Sequence, residues 1–151
     1  MALNYPFVYR IFSWCAKGIT TIIYKRRTQM YEEFAAWLDE KLENALPADA
    51  QAVNFNIYEE EDNGWTVQLI ASDRFDPQDD EWACFEVYST GEDLYYWEKE
   101  CGWEEIHEDV REMVKTYLEK GKFAEMLKNF RAVGFGFVDG DLELAYVREL
   151  Q

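Results

Sequence analysis

The chain has 151 residues, enough for one domain with a real core. Its formal net charge of −16 sets phosphate backbones and anionic membranes against it and favours a cationic partner, so no nucleic acid is expected to bind. Three cysteines (Cys15, Cys84, Cys101) make no disulfide framework, which points to a reducing, cytoplasmic setting, and a single histidine, His107, restricts the usual acid–base chemistry.

Charge changes abruptly along the chain. Residues 1–29 hold five basic residues and no acidic one, whereas residues 30–151 hold ten basic and 31 acidic. In the first segment Val8, Ile11, Phe12, Cys15, Ala16, Ile19, Ile22 and Ile23 recur at helical spacing, and Lys25-Arg26-Arg27 follow. This is an amphipathic basic helix pattern. Arg10 and Lys17 interrupt it too early for a spanning helix, and its basic cluster comes last, unlike that of a signal peptide. Three readings stay open: an over-called start ahead of Met30, an interfacial or targeting helix, and a helix docked on the domain.

Within the acidic domain, Tyr31, Phe34, Ala35, Leu38, Leu42 and Ala45 predict a helix over 30–46, stopped by Pro47. Val53, Phe55 and Ile57 alternate with polar residues, as do Trp65, Val67, Leu69 and Ala71. These are two strands of a hairpin through Asp62-Asn63-Gly64. A three-residue loop with a left-handed Gly64 pairs Ile57 with Leu69 and puts both apolar rows on one face. A loop at 74–81 leads to a third strand, Trp82–Ser89, and Leu94–Trp97 reads as a short strand or a helical turn.

Trp103, Ile106, Val110, Met113, Val114 and Tyr117 form the stripe of a second helix, capped at Gly121. Its early carboxylates and late lysines match the helix dipole. A short helix follows at Phe123, Met126, Leu127 and Phe130. Val133, Phe135 and Phe137 then pair through an Asp139-Gly140 turn with Leu142, Leu144 and Tyr146. Gly134 and Gly136 share a face, so a backbone or an aromatic ring is expected close against them. The order α-β-β-β-(β)-α-α-β-β predicts an α+β domain: one antiparallel sheet of about five strands with helices on one face.

Candidate chemistry is sparse. Asp139, Asp141 and Glu143 faintly suggest a calcium loop, but Leu144 and Ala145 break the ligand series, and turn chemistry accounts for Asp139-Gly140. Cys84, Cys101 and His107 lack the paired spacing of a zinc site. No phosphate loop, nucleophile elbow or Cys–His pair is present, so no catalytic residue, cofactor or metal is assigned. What stands out is acidic and aromatic. Glu59, Glu60, Glu61 and Asp62 sit at a hairpin tip; Asp76, Asp79, Asp80 and Glu81 crowd the next loop; Trp97 and Trp103 flank the start of the long helix. Aromatic anchors ringed by charge are the composition of a protein interface.

In size, acidity and element order, and in the local run from Gly134 to Tyr146, Gly-Phe-Gly-Phe-Val-Asp-Gly-Asp-Leu-Glu-Leu-Ala-Tyr, the chain resembles small acidic immunity proteins of bacterial toxin systems. The resemblance implies a binding protein that neutralises a basic toxin, and no site residue transfers with it. The expectation is therefore a non-enzymatic protein that sequesters a basic partner through the acidic loops 58–62 and 73–82. A hydrolase-type enzyme with a carboxylate-lined pocket and a membrane-surface protein tethered by residues 1–29 are the alternatives.

Overall fold

The computed structural model describes residues 7–150 and, from Gly18 onward, their side chains. The chain divides into two units, residues 1–33 and 34–151. Helix α1, Phe7–Leu42, begins in the first. There it carries exposed Ile19, Ile22, Ile23 and Tyr24. The expected apolar row at Val8, Ile11, Phe12, Cys15 and Ala16 lies outside the described side chains. No helix among the described residues is long and apolar enough to cross a membrane.

The second unit is α+β, with one open six-stranded sheet in the order β3-β2-β1-β5-β6, and β4 on the same edge of β2 as β3. The strands are β1 (Ala52–Glu59), β2 (Gly64–Ser72), β3 (Glu86–Ser89), β4 (Tyr95–Glu98), β5 (Ala132–Phe137) and β6 (Glu143–Val147). Four of the five strand pairings are antiparallel, as expected; β1 and β5 instead run parallel, Val53 opposite Val133 and Phe55 opposite Phe135. A parallel pair needs a long return connection. Here it contains α2 (Trp103–Lys120) and the short α3 (Ala124–Lys128).

One face of the sheet carries the main core. Phe34, Leu38 and Leu42, one helical turn apart, are fully buried, as are Val53, Phe55 and Ile57 on β1. Phe34 meets the rings of Phe55, Tyr95 and Tyr117. Ile106, Val110, Met113, Val114 and Tyr117 supply the buried stripe of α2. Each such side chain contributes about 1.5–3 kcal/mol of transfer free energy before entropy is charged against it. The hydroxyl of Tyr117 ties the helices together: it donates to Asp39 Oδ1 at 2.5 Å and accepts from the Phe123 amide at 3.2 Å.

The other face has a smaller cover. Residues 80–84 form a 3-10 helix, not the start of a strand, because Asp79 accepts from the Glu81 amide and caps the turn. This seats Trp82 against Phe75, Ala52 and Ala132, with Leu142 and Leu144 beside them. The segment Leu94–Trp97, undecided in sequence, contributes the strand β4.

Registers differ from expectation in two hairpins. Ile57 pairs with Val67 and Phe55 with Leu69, so the apolar rows do align, but two residues further along. The left-handed residues are Asp62 and Asn63, and Gly64 is already in the strand. A Cβ on Gly64 would stand 2.9 Å from the Tyr96 ring, so that glycine serves close approach instead of a turn. In β5–β6, Val133 opposes Tyr146, and then a bulge shifts the pairing so that Phe135 opposes Glu143. The shift sends Leu142 and Leu144 to the second face and Glu143 toward α2. The crowding expected at Gly134 and Gly136 is present: added Cβ atoms would lie 2.6 Å from Asn54 Oδ1 and 2.7 Å from the Asp141 carbonyl.

Candidate functional site

Strands β1 and β5 end side by side. Beyond their carboxyl ends lies an open groove of about 770 Å³, lined by Ile57–Glu59 from β1, Trp103 and His107 from α2, and 137–141 from β5 and its turn. Crevices at the carboxyl ends of parallel strands are common binding places, because strand ends, a helix start and a loop converge there.

Its walls are aromatic. Phe137 meets Trp103 edge to face at 6.5 Å and lies nearly parallel to the His107 ring at 6.4 Å. Trp65 packs on Phe137 from the core side at 6.2 Å. Trp103 itself is 60% exposed, while Trp65 and Ile57 are buried. Trp103 is placed by the segment before it. The Trp65 indole donates to the Lys99 carbonyl at 2.9 Å, and the Lys99 ammonium reaches the buried Asp109 carboxylate at 2.6 Å. Burial alone would lower the Lys99 pKa, but the hydrogen bond and charge of Asp109 hold it above its ordinary value.

His107 does not stand on the open surface, contrary to its charged sequence neighbourhood. It is half-buried against Phe135, with ring centroids 5.0 Å apart. Its Nδ1 lies 3.5 Å from the Arg111 guanidinium. Arginine can only donate, so Nδ1 accepts and the ring proton sits on Nε2. Burial, and then the Arg111 charge, push the His107 pKa below 6.5, which keeps the ring neutral at pH 7. Arg111 in turn is clamped by Glu143: Nε to Oε1 at 2.9 Å and Nη2 to Oε2 at 2.6 Å, with Glu108 as a further partner. The hydrogen bond from Arg111 holds the Glu143 carboxyl below its usual range.

The rim is acidic. Glu59, Asp139 and Asp141 are exposed, and none has an ion-pair partner among the described residues. The calcium series is split here, since Glu143 is spent on Arg111 while Asp139 and Asp141 stay at the turn. Among the described residues no three His, Cys, Asp or Glu side chains converge to hold a metal ion.

The interface residues expected from sequence separate into two places. Glu59 lines the groove, and Glu60, Glu61 and Asp62 continue from it along the exposed hairpin tip, with Glu60 accepting from the Thr66 hydroxyl. Loop 73–82 leaves from the opposite end of β2. Asp76 and Asp79 cap local turns, and Asp80 accepts from the Leu142 amide at 3.2 Å, which fastens the loop to the β6 side. Glu81 is exposed on the 3-10 helix. Trp103 is available as a surface anchor; Trp97 is not. Alternation in β4 turns Trp97 inward, 8% exposed and stacked on Tyr95 at 5.3 Å. Sequence reasoning missed Phe137 and His107 as groove residues. The signal was present: Trp103, His107 and Arg111 fall at four-residue spacing, a row beside the main apolar stripe of α2.

Compared with known proteins, the chain matches no family model, no curated protein and no solved structure.

Proposed function

We propose that the acidic domain is a binding protein that sequesters or neutralises a basic protein partner, an immunity-type role, and that the partner docks on the groove beyond β1 and β5 and on the adjoining hairpin tip. The observation that carries this reading is the groove itself: an aromatic floor and walls, with Glu59, Asp139 and Asp141 exposed around them and no lysine or arginine in its lining. Unpaired like charges around an apolar surface repel one another until a cation arrives, which gives fast association and rejects acidic competitors. The contact assigned here differs from the one expected from sequence, because Asp76, Asp79 and Asp80 are engaged in holding their own loop.

The test is titration of the full chain with a decapeptide rich in lysine and arginine, followed by fluorescence anisotropy at rising salt. Affinity should fall at least tenfold between about 50 and 500 mM salt. It should fall again on joint reversal of Glu59, Asp139 and Asp141 to lysine, and change little on reversal of Asp76 and Asp79. Absence of binding at low salt, or binding indifferent to salt and to groove reversal, overturns the proposal. A hydrolase-type role finds less support, because the groove carboxylates lie exposed at the rim, whereas acid–base work calls for a carboxyl shifted by burial.

A second reading rests on a separate observation. Ile19, Ile22 and Ile23 are 58%, 57% and 50% exposed on α1, directly before Lys25-Arg26-Arg27. An apolar row next to a basic cluster suits the surface of an anionic bilayer. Co-sedimentation with phosphatidylserine-containing vesicles should be lost when the three isoleucines become aspartate; unchanged sedimentation ends that reading.

A further inference from the structure

We propose that the groove is a socket for a guanidinium group, so that the partner is held by an arginine side chain carried on a basic segment and not by general charge attraction alone. This rests on the binding role proposed above and specifies its chemistry.

Two of the domain's own cations near the groove are already engaged. Arg111 is clamped by Glu143, and Lys99 is held by Asp109. The site offers three exposed carboxylates that have no ion-pair partner among the described residues and no lysine or arginine in the groove lining. It also offers flat π surface in Trp103 and Phe137, set edge to face at 6.5 Å. Those two features together select among cations. A lysine ammonium is compact and strongly hydrated, and it gains little from an aromatic wall while it keeps its water. A guanidinium is planar and weakly hydrated, stacks on a ring face, and bonds carboxylates through two parallel donors. His107 adds no repulsion: its ring is neutral, and its Nδ1 is turned to Arg111. A volume of about 770 Å³ is far larger than one guanidinium and matches a side chain with its flanking backbone. This favours a peptide segment over a free small cation.

The experiment compares three labelled nonapeptides of the same Gly/Ser frame, carrying three arginines, three lysines or three citrullines, against the full chain by fluorescence anisotropy at low salt. The arginine peptide should bind at least fivefold tighter than the lysine peptide, and the citrulline peptide should not bind measurably. Trp103→Ala should weaken the arginine peptide about tenfold and erase its advantage over lysine, while Trp103→Phe keeps most of that advantage. Trp103 is exposed, so both variants should retain the parent circular dichroism and melting temperature. Equal affinity for arginine and lysine peptides, or an advantage that survives Trp103→Ala, overturns the socket and leaves the charge-driven binding role standing. If neither peptide binds at low salt, the binding role falls as well.

Discussion

Removing one oxygen atom tests how the helices are locked over the sheet. In Tyr117→Phe the ring keeps its place against Phe34, and only the hydroxyl is lost. That hydroxyl donates to Asp39 and accepts from the Phe123 amide, at a position where Tyr117 is 1% exposed. A hydrogen bond to a carboxylate is worth about 1.5–3 kcal/mol, and a buried amide left without a partner costs about 1–3 kcal/mol. Asp39 is only half-buried and recovers part of its loss by turning to water. The expected destabilisation is about 2–3 kcal/mol. With a urea slope of about 2 kcal/mol/M, the unfolding midpoint should fall by roughly 1–1.5 M at constant slope. The melting temperature should fall by about 6–12 °C. A cycle with Asp39→Ala should show a coupling of about 1 kcal/mol between the two positions. A loss below about 0.5 kcal/mol, or strict additivity in the cycle, would refute the argument that this hydroxyl links α1, α2 and the turn into α3.

Four further outcomes follow from the same structure. Gly134→Ala should cost about 1–3 kcal/mol in urea unfolding, since its methyl would stand 2.6 Å from Asn54 Oδ1 and 2.7 Å from Leu142 Cδ2. With a single histidine in the chain, proton NMR can follow His107 without ambiguity, and its midpoint should lie below 6.5. Because the folded pKa is the lower one, the unfolded chain takes up this proton first; stability should fall as pH drops below about 6.5 and stop falling, for this group, below the folded midpoint. Arg111→Met should raise that midpoint, because it removes a cation 3.5 Å from Nδ1 and leaves Glu143 behind.

The residue pattern reveals faces better than it reveals neighbours. Alternation placed Val53, Phe55 and Ile57 on one side of a strand, and they are buried there. It carries no information on which strand lies beside β1, and the parallel partnership with β5 emerges only from the closed sheet. Tip residues misled for a local reason. Gly64 looked like the left-handed residue, yet Asp62 and Asn63 take that conformation, as short polar side chains can. Trp82 reads as a strand residue until Asp79 caps a helical turn in front of it. For the site, Glu59 and Trp103 were visible as an acidic residue and an aromatic one, but their meeting depends on where β1, β5 and α2 end in space. The bulge that turns Glu143 onto Arg111 leaves no mark in composition at all.

The parallel partnership also fixes an order of events during synthesis. Val53 takes Ala71 on one side from the segment that follows it, and Val133 on the other from beyond α2 and α3. Until β5 has emerged from the ribosome, β1 presents the apolar side chains of Val53, Phe55 and Ile57 beside a row of unmatched backbone donors and acceptors. Such an edge recruits any other extended chain it meets. A message cut short between α2 and β5 should therefore yield insoluble product, not a smaller functional domain, and the arrival of β5 is the step that makes the polypeptide safe to accumulate.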